Sequence, residues 1–247
     1  TRELAEQVAD SLIKFSKSYD FEVAAVYGGV SIEPQMRKLR YADVVVGTPG
    51  RILDHLERRT LDLRNVKTLV LDEADRMLDM GFIDDVVKII ESCPRERQTF
   101  LFSATISHDI ELIAKKYMRN PEYIALESYV DPSKLKQVYY DVAQDMKFSL
   151  LLHLLKHEHK GLIMIFCNTQ RNTDFIADNL NRYEIDATAI HGGLTQAKRT
   201  RVMEKFKAGH VLILVCTDVA ARGLDIQNVS HVYNYDLPAN SKEYIHR

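Results

Sequence analysis

Short runs of Val, Ile, Leu, Phe and Tyr recur along the chain, separated by longer stretches whose apolar residues return every three or four positions. The first spacing suits strands covered on both faces, and the second suits helices with one apolar side. In the first half, strands are predicted at 21–27 (FEVAAVY), 42–48 (ADVVVGT), 68–72 (TLVLD), 99–105 (TFLFSAT) and 122–126 (EYIAL). Helices are predicted at 3–15, 51–59, 82–93 and 108–118, the third of them offering Phe82, Ile83, Val86, Val87, Ile89 and Ile90 as one broad buried face. The pattern breaks at 127–134 (ESYVDPSK), which is polar and carries a proline, and then resumes. Further strands are predicted at 137–143 (QVYYDVA), 162–168 (LIMIFCN), 186–192 (DATAIHG), 212–218 (LILVCTD) and 231–236 (HVYNYD), with helices at 147–158, 171–183 and 195–209.

Alternation of this kind builds mainly parallel sheets flanked by helices. The expected class is therefore α/β, arranged as two lobes over residues 1–127 and 135–247 with a short linker at 128–134 and a cleft between them. A length of 247 residues, 46% of them hydrophobic, supports two cores. No apolar run approaches the roughly 18 residues of a membrane span, and no secretory signal opens the chain, so an intracellular protein without membrane attachment is expected. Cys93, Cys167 and Cys216 lack metal-ligand spacing, and the last two lie in apolar runs, which suits a reducing cytoplasm. A net charge of −2 supplies no global attraction to nucleic acid, so any such binding must come from local basic clusters. The start at Thr1 and the stop at Arg247 read as the ends of a piece of a longer protein.

Candidate chemistry begins at 68–78 (TLVLDEADRML), where a strand runs straight into Asp72, Glu73 and Asp75. Carboxylates at a buried strand end are costly to desolvate unless a donor, a cation or a metal meets them. Open α/β sheets bind ligands beyond the carboxyl ends of their strands. There Asp72 can hold Mg²⁺ through water, and Glu73 can orient or deprotonate a water that attacks a γ-phosphate. An acidic first turn stabilised by the helix dipole accounts for the same letters without any ligand. Elsewhere, His153 and His157 stand one helical turn apart with His159 nearby, a metal-ligand spacing, but no carboxylate or cysteine cluster joins them.

Other strings narrow the choice. TRELA (1–5), GG (28–29), TPGR (48–51), DEAD (72–75), SAT (103–105), LIMIFCNT (162–169), HGGLTQAKR (191–199), TDVAARGLD (217–225) and HR (246–247) resemble, in this order, the motifs of the DEAD-box ATP-dependent RNA helicases. The resemblance covers nearly all of the chain and implies two RecA-like lobes that take ATP, Mg²⁺ and RNA. By the same resemblance, Asp72 carries the metal through water and Glu73 the catalytic water. Asp75, bonded to Ser103 and Thr105, together with Arg222, couples the nucleotide site to lobe closure. Gly223 lies near the phosphates, Asp225 meets the ribose, and Arg247 completes the nucleotide site as a catalytic residue.

For RNA the resemblance implies Thr1, Arg2, Gly28, Gly29, Thr48, Gly50 and Arg51 in the first lobe, and Thr169, Gln196, Arg199, Thr217 and Asp218 in the second. Read without the family, TPGR is a helix-starting turn whose N–H groups and guanidinium suit a phosphate, and the basic run at 198–201 is a solvated helix face. Contacts to sugar and phosphate carry little base information, so a cytoplasmic monomer acting on single strands or short duplexes with weak sequence selectivity is implied.

The chain departs from the family pattern in one respect. No G-x-x-x-x-G-K-[ST] phosphate loop occurs, GTPGR being the nearest string, and the family's loop and its adenine-reading segment lie upstream of TRELA. Negligible ATP hydrolysis is therefore expected of residues 1–247 alone. The alternatives are a scaffold that binds RNA without ATPase activity and a DNA translocase of the same superfamily.

Overall fold

The computed structural model describes residues 1–125, 135–158, 161–221, 226 and 228–247. The chain divides into two compact units, Arg2–Leu135 and Lys136–Arg247. The expected linker at 128–134 lies outside the described residues. Both units are α/β with parallel strands, as expected.

In the first unit α1 (Arg2–Ser16), β1 (Val23–Val26), α2 (Glu33–Leu39), β2 (Val44–Gly47) and α3 (Pro49–Glu57) form one group. β3 (Thr68–Leu71), α4 (Ala74–Asp79), α5 (Ile83–Ser92), β4 (Gln98–Leu101) and α6 (His108–Tyr117) form the other. β1 pairs with β2 and β3 with β4, each pair parallel. The β1–β2 pair depends on a glycine that the motif strings do not include. A Cβ on Gly47 would lie 2.5 Å from Val26 Cγ2 and 2.6 Å from the Val26 carbonyl oxygen. Gly47→Ala is expected to cost about 1–3 kcal/mol, the usual penalty of overpacking. The check is a lower urea midpoint with an unchanged m value.

Period-two alternation sets the faces of the second pair. Leu69, Leu71 and Leu101 turn toward Val86, Ile90 and Ile113 of α5 and α6. Val70 (53% exposed), Phe100 and Phe102 point the other way and stand open, with the two phenyl rings stacked at 6.4 Å. The expectation that all strands are covered on both faces fails here, because these two helices cover only one side of β3–β4.

The second unit meets that expectation. After a 3-10 turn at Gln144–Met146 come α7 (Lys147–Glu158), β5 (Leu162–Phe166), α8 (Gln170–Arg182), β6 (Ala187–Ile190) and α9 (Gln196–Lys207). β7 (Ile213–Cys216), α10 (Asp218–Ala221), β8 (Val229–Asn234) and α11 (Ser241–His246) complete it. The strands form one parallel sheet in the order β6-β7-β5-β8. Ile163, Ile165 and Val215 pack on one side against Leu155 of α7 and Ile176 and Leu180 of α8. Met164, Phe166 and Leu214 pack on the other against Met203 and Phe206 of α9. Each such fully buried side chain contributes about 1.5–3 kcal/mol. Thr169 and Thr195 cap α8 and α9 by accepting from Asn172 N and Lys198 N.

Two expected strands do not form. The described part of 122–126 and the run 137–143 are irregular, with Ile124 83% and Tyr139 92% exposed. Both have strand-like letters, yet neither has a ladder partner among the described residues, and a strand exists only where its backbone groups are paired. Among the described residues no helix is long and apolar enough to cross a membrane. His153 and His157 lie on α7 with their rings 4.3 Å apart, and no group of three or more potential metal ligands occurs among the described residues.

Candidate functional site

Parallel pairing of β3 with β4 brings the ends of both strands to one edge, where the acids lie. Ala74 N donates to Phe102 O at 3.0 Å and Phe102 N to Leu71 O at 2.8 Å, so the two segments stay zipped past the strands proper. Asp75 is buried there, and its Oδ2 accepts from Thr105 N at 2.8 Å and from Thr105 Oγ1 at 2.9 Å, while Oδ1 accepts from Arg76 N. These bonds offset the desolvation of the carboxylate. The structure thus joins Asp75 to Thr105, whereas the Ser103 hydroxyl donates to the Thr105 carbonyl oxygen at 2.6 Å and braces the turn.

The two neighbouring acids face outward. Asp72 is exposed and its Oδ1 accepts from Glu73 N at 2.9 Å. Glu73 has φ 50° and ψ 48°, a left-handed conformation at the helix start that costs a non-glycine residue about 1–2 kcal/mol. Its carboxylate sits 3.7 Å from the Arg76 guanidinium. A backbone held in such a region at a strand end aims a side chain at the cost of strain.

A second cluster forms around the Gly28-Gly29 loop. Gly29 has φ 82°, and a Cβ there would lie 2.3 Å from Arg2 Nη1, so the Arg2 guanidinium rests against the loop. Arg51 Nη2 donates to Val30 O at 3.1 Å. The Tyr27 hydroxyl donates to Glu6 of α1, the helix that carries Arg2. Pro49 opens α3, Thr48 is its N-cap without a side-chain cap bond, and Arg51 lies in the first turn. A Cβ on Gly28 or Gly50 would meet no atom within 4 Å. Neither glycine is therefore required by local packing, and both let an external group come close to the backbone. Arg2, Gly28, Gly29, Thr48, Gly50 and Arg51 are thus brought to one place, with Thr1 leading into α1.

Beneath this loop lies a polar network that sequence reasoning missed. Buried Gln35 bonds to the loop backbone and to buried His55, and burial, followed by the Arg51 guanidinium, pushes the His55 imidazole below its ordinary value. A glutamine and a histidine 20 positions apart give no motif, and only their places on otherwise apolar helix faces mark them.

In the second unit Thr169 is spent as the cap of α8, and Gln196, Arg199 and Thr217 are buried. Asp218 and Arg247 meet each other. Arg247 Nε and Nη2 donate to the two Asp218 carboxylate oxygens at 2.6 and 2.7 Å. Nη1 donates to Asn234 Oδ1 and the Asp236 carbonyl, and Nη2 also donates to Asn168 Oδ1. These bonds engage all five N–H donors of the guanidinium, which lies over the Phe166 ring and is 2% exposed. The donors of Arg247, the residue expected to complete the nucleotide site, are thus engaged within the unit. The same pairing takes the Asp218 carboxylate away from any phosphate, which it would repel. Arg222, Gly223 and Asp225 lie outside the described residues.

A further hub is Asp236, just past β8. It accepts from Asn168 N, Asn172 Nδ2 and Lys147 Nζ. Burial pulls its carboxyl upward, but these donors outweigh that and hold it below the usual carboxylate range.

The DEAD/DEAH box helicase family matches residues 1–113, and the helicase conserved C-terminal domain matches residues 146–247. The DEAD-box ATP-dependent RNA helicase CshA of Bacillus subtilis is 46% identical over 100% of this chain and 50% of its own length. The ATP-dependent RNA helicase CshA of Listeria monocytogenes is 49% identical over 100% of this chain and 48% of its own. The chain thus spans about half the length of these curated relatives. Among solved structures, S. cerevisiae Dbp5 bound to RNA and ADP BeF3 aligns with a TM-score of 0.88 at 32% identity, over 100% of this chain and 65% of that one. A DEAD box protein from the hyperthermophile Methanococcus jannaschii aligns with a TM-score of 0.51 at 43% identity, over 100% and 67%. Matches to both halves, at nearly half identity along the full sequence, leave a plain conclusion: the chain belongs to the DEAD-box family of ATP-dependent RNA helicases.

Proposed function

We propose that the protein carrying this chain is an RNA-stimulated ATPase that separates short RNA duplexes or remodels RNA–protein complexes. The observation that carries this reading is the division of labour among three adjacent acids. Asp75 is buried and locked to Thr105, while Asp72 is exposed and Glu73, half-buried beside Arg76, holds a left-handed backbone just past β3. Asp72 is a hard oxygen donor at a solvent-facing strand end, and one or two carboxylates is the number that Mg²⁺ uses when it keeps its waters and shares phosphate oxygens. Asp72 would hold that ion, which when bound neutralises charge on the phosphates. Glu73 would orient the attacking water and accept its proton. Asp75 would tie the Thr105 turn to the nucleotide site. Arg222, Gly223 and Asp225 enter on their sequence match to the family motif.

Arg2, Arg51 and the open backbone at Gly28 and Gly50 would follow an RNA sugar–phosphate chain, and Thr169, Gln196, Arg199, Thr217 and Asp218 enter as RNA positions on their sequence match to the family motifs. The Dbp5 neighbour, bound to RNA and ADP BeF3, supports both ligands. If each ligand favours the same state of the protein, each strengthens the binding of the other by thermodynamic reciprocity. A monomer in the cytoplasm completes the reading.

The test is ATP turnover by the full-length protein with and without single-stranded RNA, and with DNA of the same sequence. RNA is expected to raise turnover at least tenfold and DNA to do little. Equal stimulation by DNA would point to a translocase, and no turnover with either to a scaffold. The polypeptide of residues 1–247 contains no phosphate loop, so its own turnover is expected to be negligible, and robust RNA-stimulated hydrolysis by it would contradict the need for that loop.

A further inference from the structure

The Gln35 amide is buried, and its hydrogen-bonding capacity is filled. Its Nε2 donates to Tyr27 O and to Ser31 O, both at 3.2 Å. Its Oε1 accepts from Tyr27 N at 3.2 Å and lies 3.4 Å from His55 Nε2. Two donors and two lone pairs are then all used, provided that the His55 ring carries its proton on Nε2. That tautomer leaves Nδ1 to accept from the Thr60 hydroxyl at 2.8 Å, whose single proton is shared with the His55 carbonyl oxygen at 3.2 Å. Gln35 therefore serves Tyr27 as a neighbouring strand would, binding both its N–H and its C=O one residue after β1 ends.

On α3, His55 follows Arg51 by four positions, and residues so spaced share a helix face. Arg51 holds the loop at Val30 O, and His55 holds it through Gln35 at Tyr27 and Ser31. The loop that carries Gly28 and Gly29 is thus fastened at both ends to the helix that opens with Thr48, Pro49 and Gly50. We propose that Gln35 and His55 are positioning residues that lock the Gly28-Gly29 loop to the first turn of α3, so that the two act as one surface of fixed spacing for consecutive phosphates of an RNA strand. The inference rests on the RNA reading of this surface given above. Neither side chain touches RNA in this account. A loop able to drift would lose simultaneous contact with both phosphate positions.

Salt dependence separates this role from a general loss of stability. For single strands, log K falls against log salt with a slope of about −0.7 per phosphate neutralised, and a smaller folded fraction does not alter that slope. The experiment uses the full-length protein with a fluorescent single-stranded oligouridylate and ADP with beryllium fluoride, titrated at several salt concentrations. Gln35→Met and His55→Leu should each weaken binding about tenfold and reduce the slope by about 0.7–1.4, one or two contacts. His55→Gln, whose amide nitrogen can take the place of Nε2–H, should restore both. Arg51→Ala controls for the underlying reading. If it changes neither affinity nor slope, the surface does not bind RNA, and the inference falls with that reading. If Arg51→Ala weakens binding while Gln35→Met and His55→Leu keep native affinity and slope, the RNA reading stands and the positioning role is overturned. Should thermal melts show that the two stronger variants do not fold, Thr60→Ala decides, since it removes the hydroxyl that keeps the His55 proton on Nε2 and so breaks the ring's hold on Gln35. A reduced slope there supports the lock, and an unchanged one overturns it.

Discussion

Glu73→Gln in the full-length protein is expected to lower RNA-stimulated kcat by about 10²–10⁴, the range that a positioned general base contributes. At about 1.36 kcal/mol per decade this is roughly 3–5 kcal/mol of barrier. ATP affinity should change far less, because Asp72 keeps its carboxylate and its bond from Glu73 N. The substitution preserves size and the left-handed backbone at position 73 and removes only the base, so a fall in kcat with a nearly constant KM identifies a chemical role. Glu73→Gly sharpens the test. It relieves about 1–2 kcal/mol of backbone strain against about 0.5–1 kcal/mol of added chain entropy, so stability should hold or rise while activity is lost. Equal losses of stability and activity in both variants would instead make Glu73 a structural acid at a helix start.

That contrast also shows what could be read from the letters alone. Asp72, Glu73 and Asp75 were legible because strand, turn and acids are contiguous, and an apolar run ending in three carboxylates poses a desolvation problem visible without coordinates. β5 and β7 were legible for a similar reason, since their runs are apolar at every position and are covered on both faces. The described residues of 122–126 and the run 137–143 carry the same letters but have no ladder partner among the described residues, and pairing is not a property of one segment. The Gln35–His55 lock was invisible because its parts come from separate helices, and a buried glutamine announces itself only through the backbone groups it satisfies. The bonds of the Arg247 guanidinium to Asp218 were not legible, because a motif names a residue type and only the fold sets its neighbours.

Arg247→Met is accordingly expected to cost about 3–5 kcal/mol of stability, the penalty for removing one partner of a buried ion pair. The partner left behind, Asp218, has its side chain only 19% exposed, and Asn168, Asn234 and the Asp236 carbonyl lose their donor at the same time. Asp218→Asn should also be destabilising, since it leaves the 2% exposed Arg247 guanidinium without its counter-charge and sets an amide N–H against a guanidinium N–H. Combining Arg247→Met with Asp218→Leu should recover part of the loss, because apolar replacement of both partners is often near neutral while the three remaining acceptors stay unsatisfied. Urea denaturation of the native protein, Arg247→Met, Asp218→Leu and the double variant closes a double-mutant cycle, and a coupling energy above about 1 kcal/mol is expected for groups in direct contact. A guanidinium that served the nucleotide would behave otherwise, with Arg247→Met lowering ATP turnover while the urea midpoint stayed within error of the native protein. The two outcomes cannot both follow from a side chain whose five donors are already bound, so the denaturation curve alone decides which role Arg247 has.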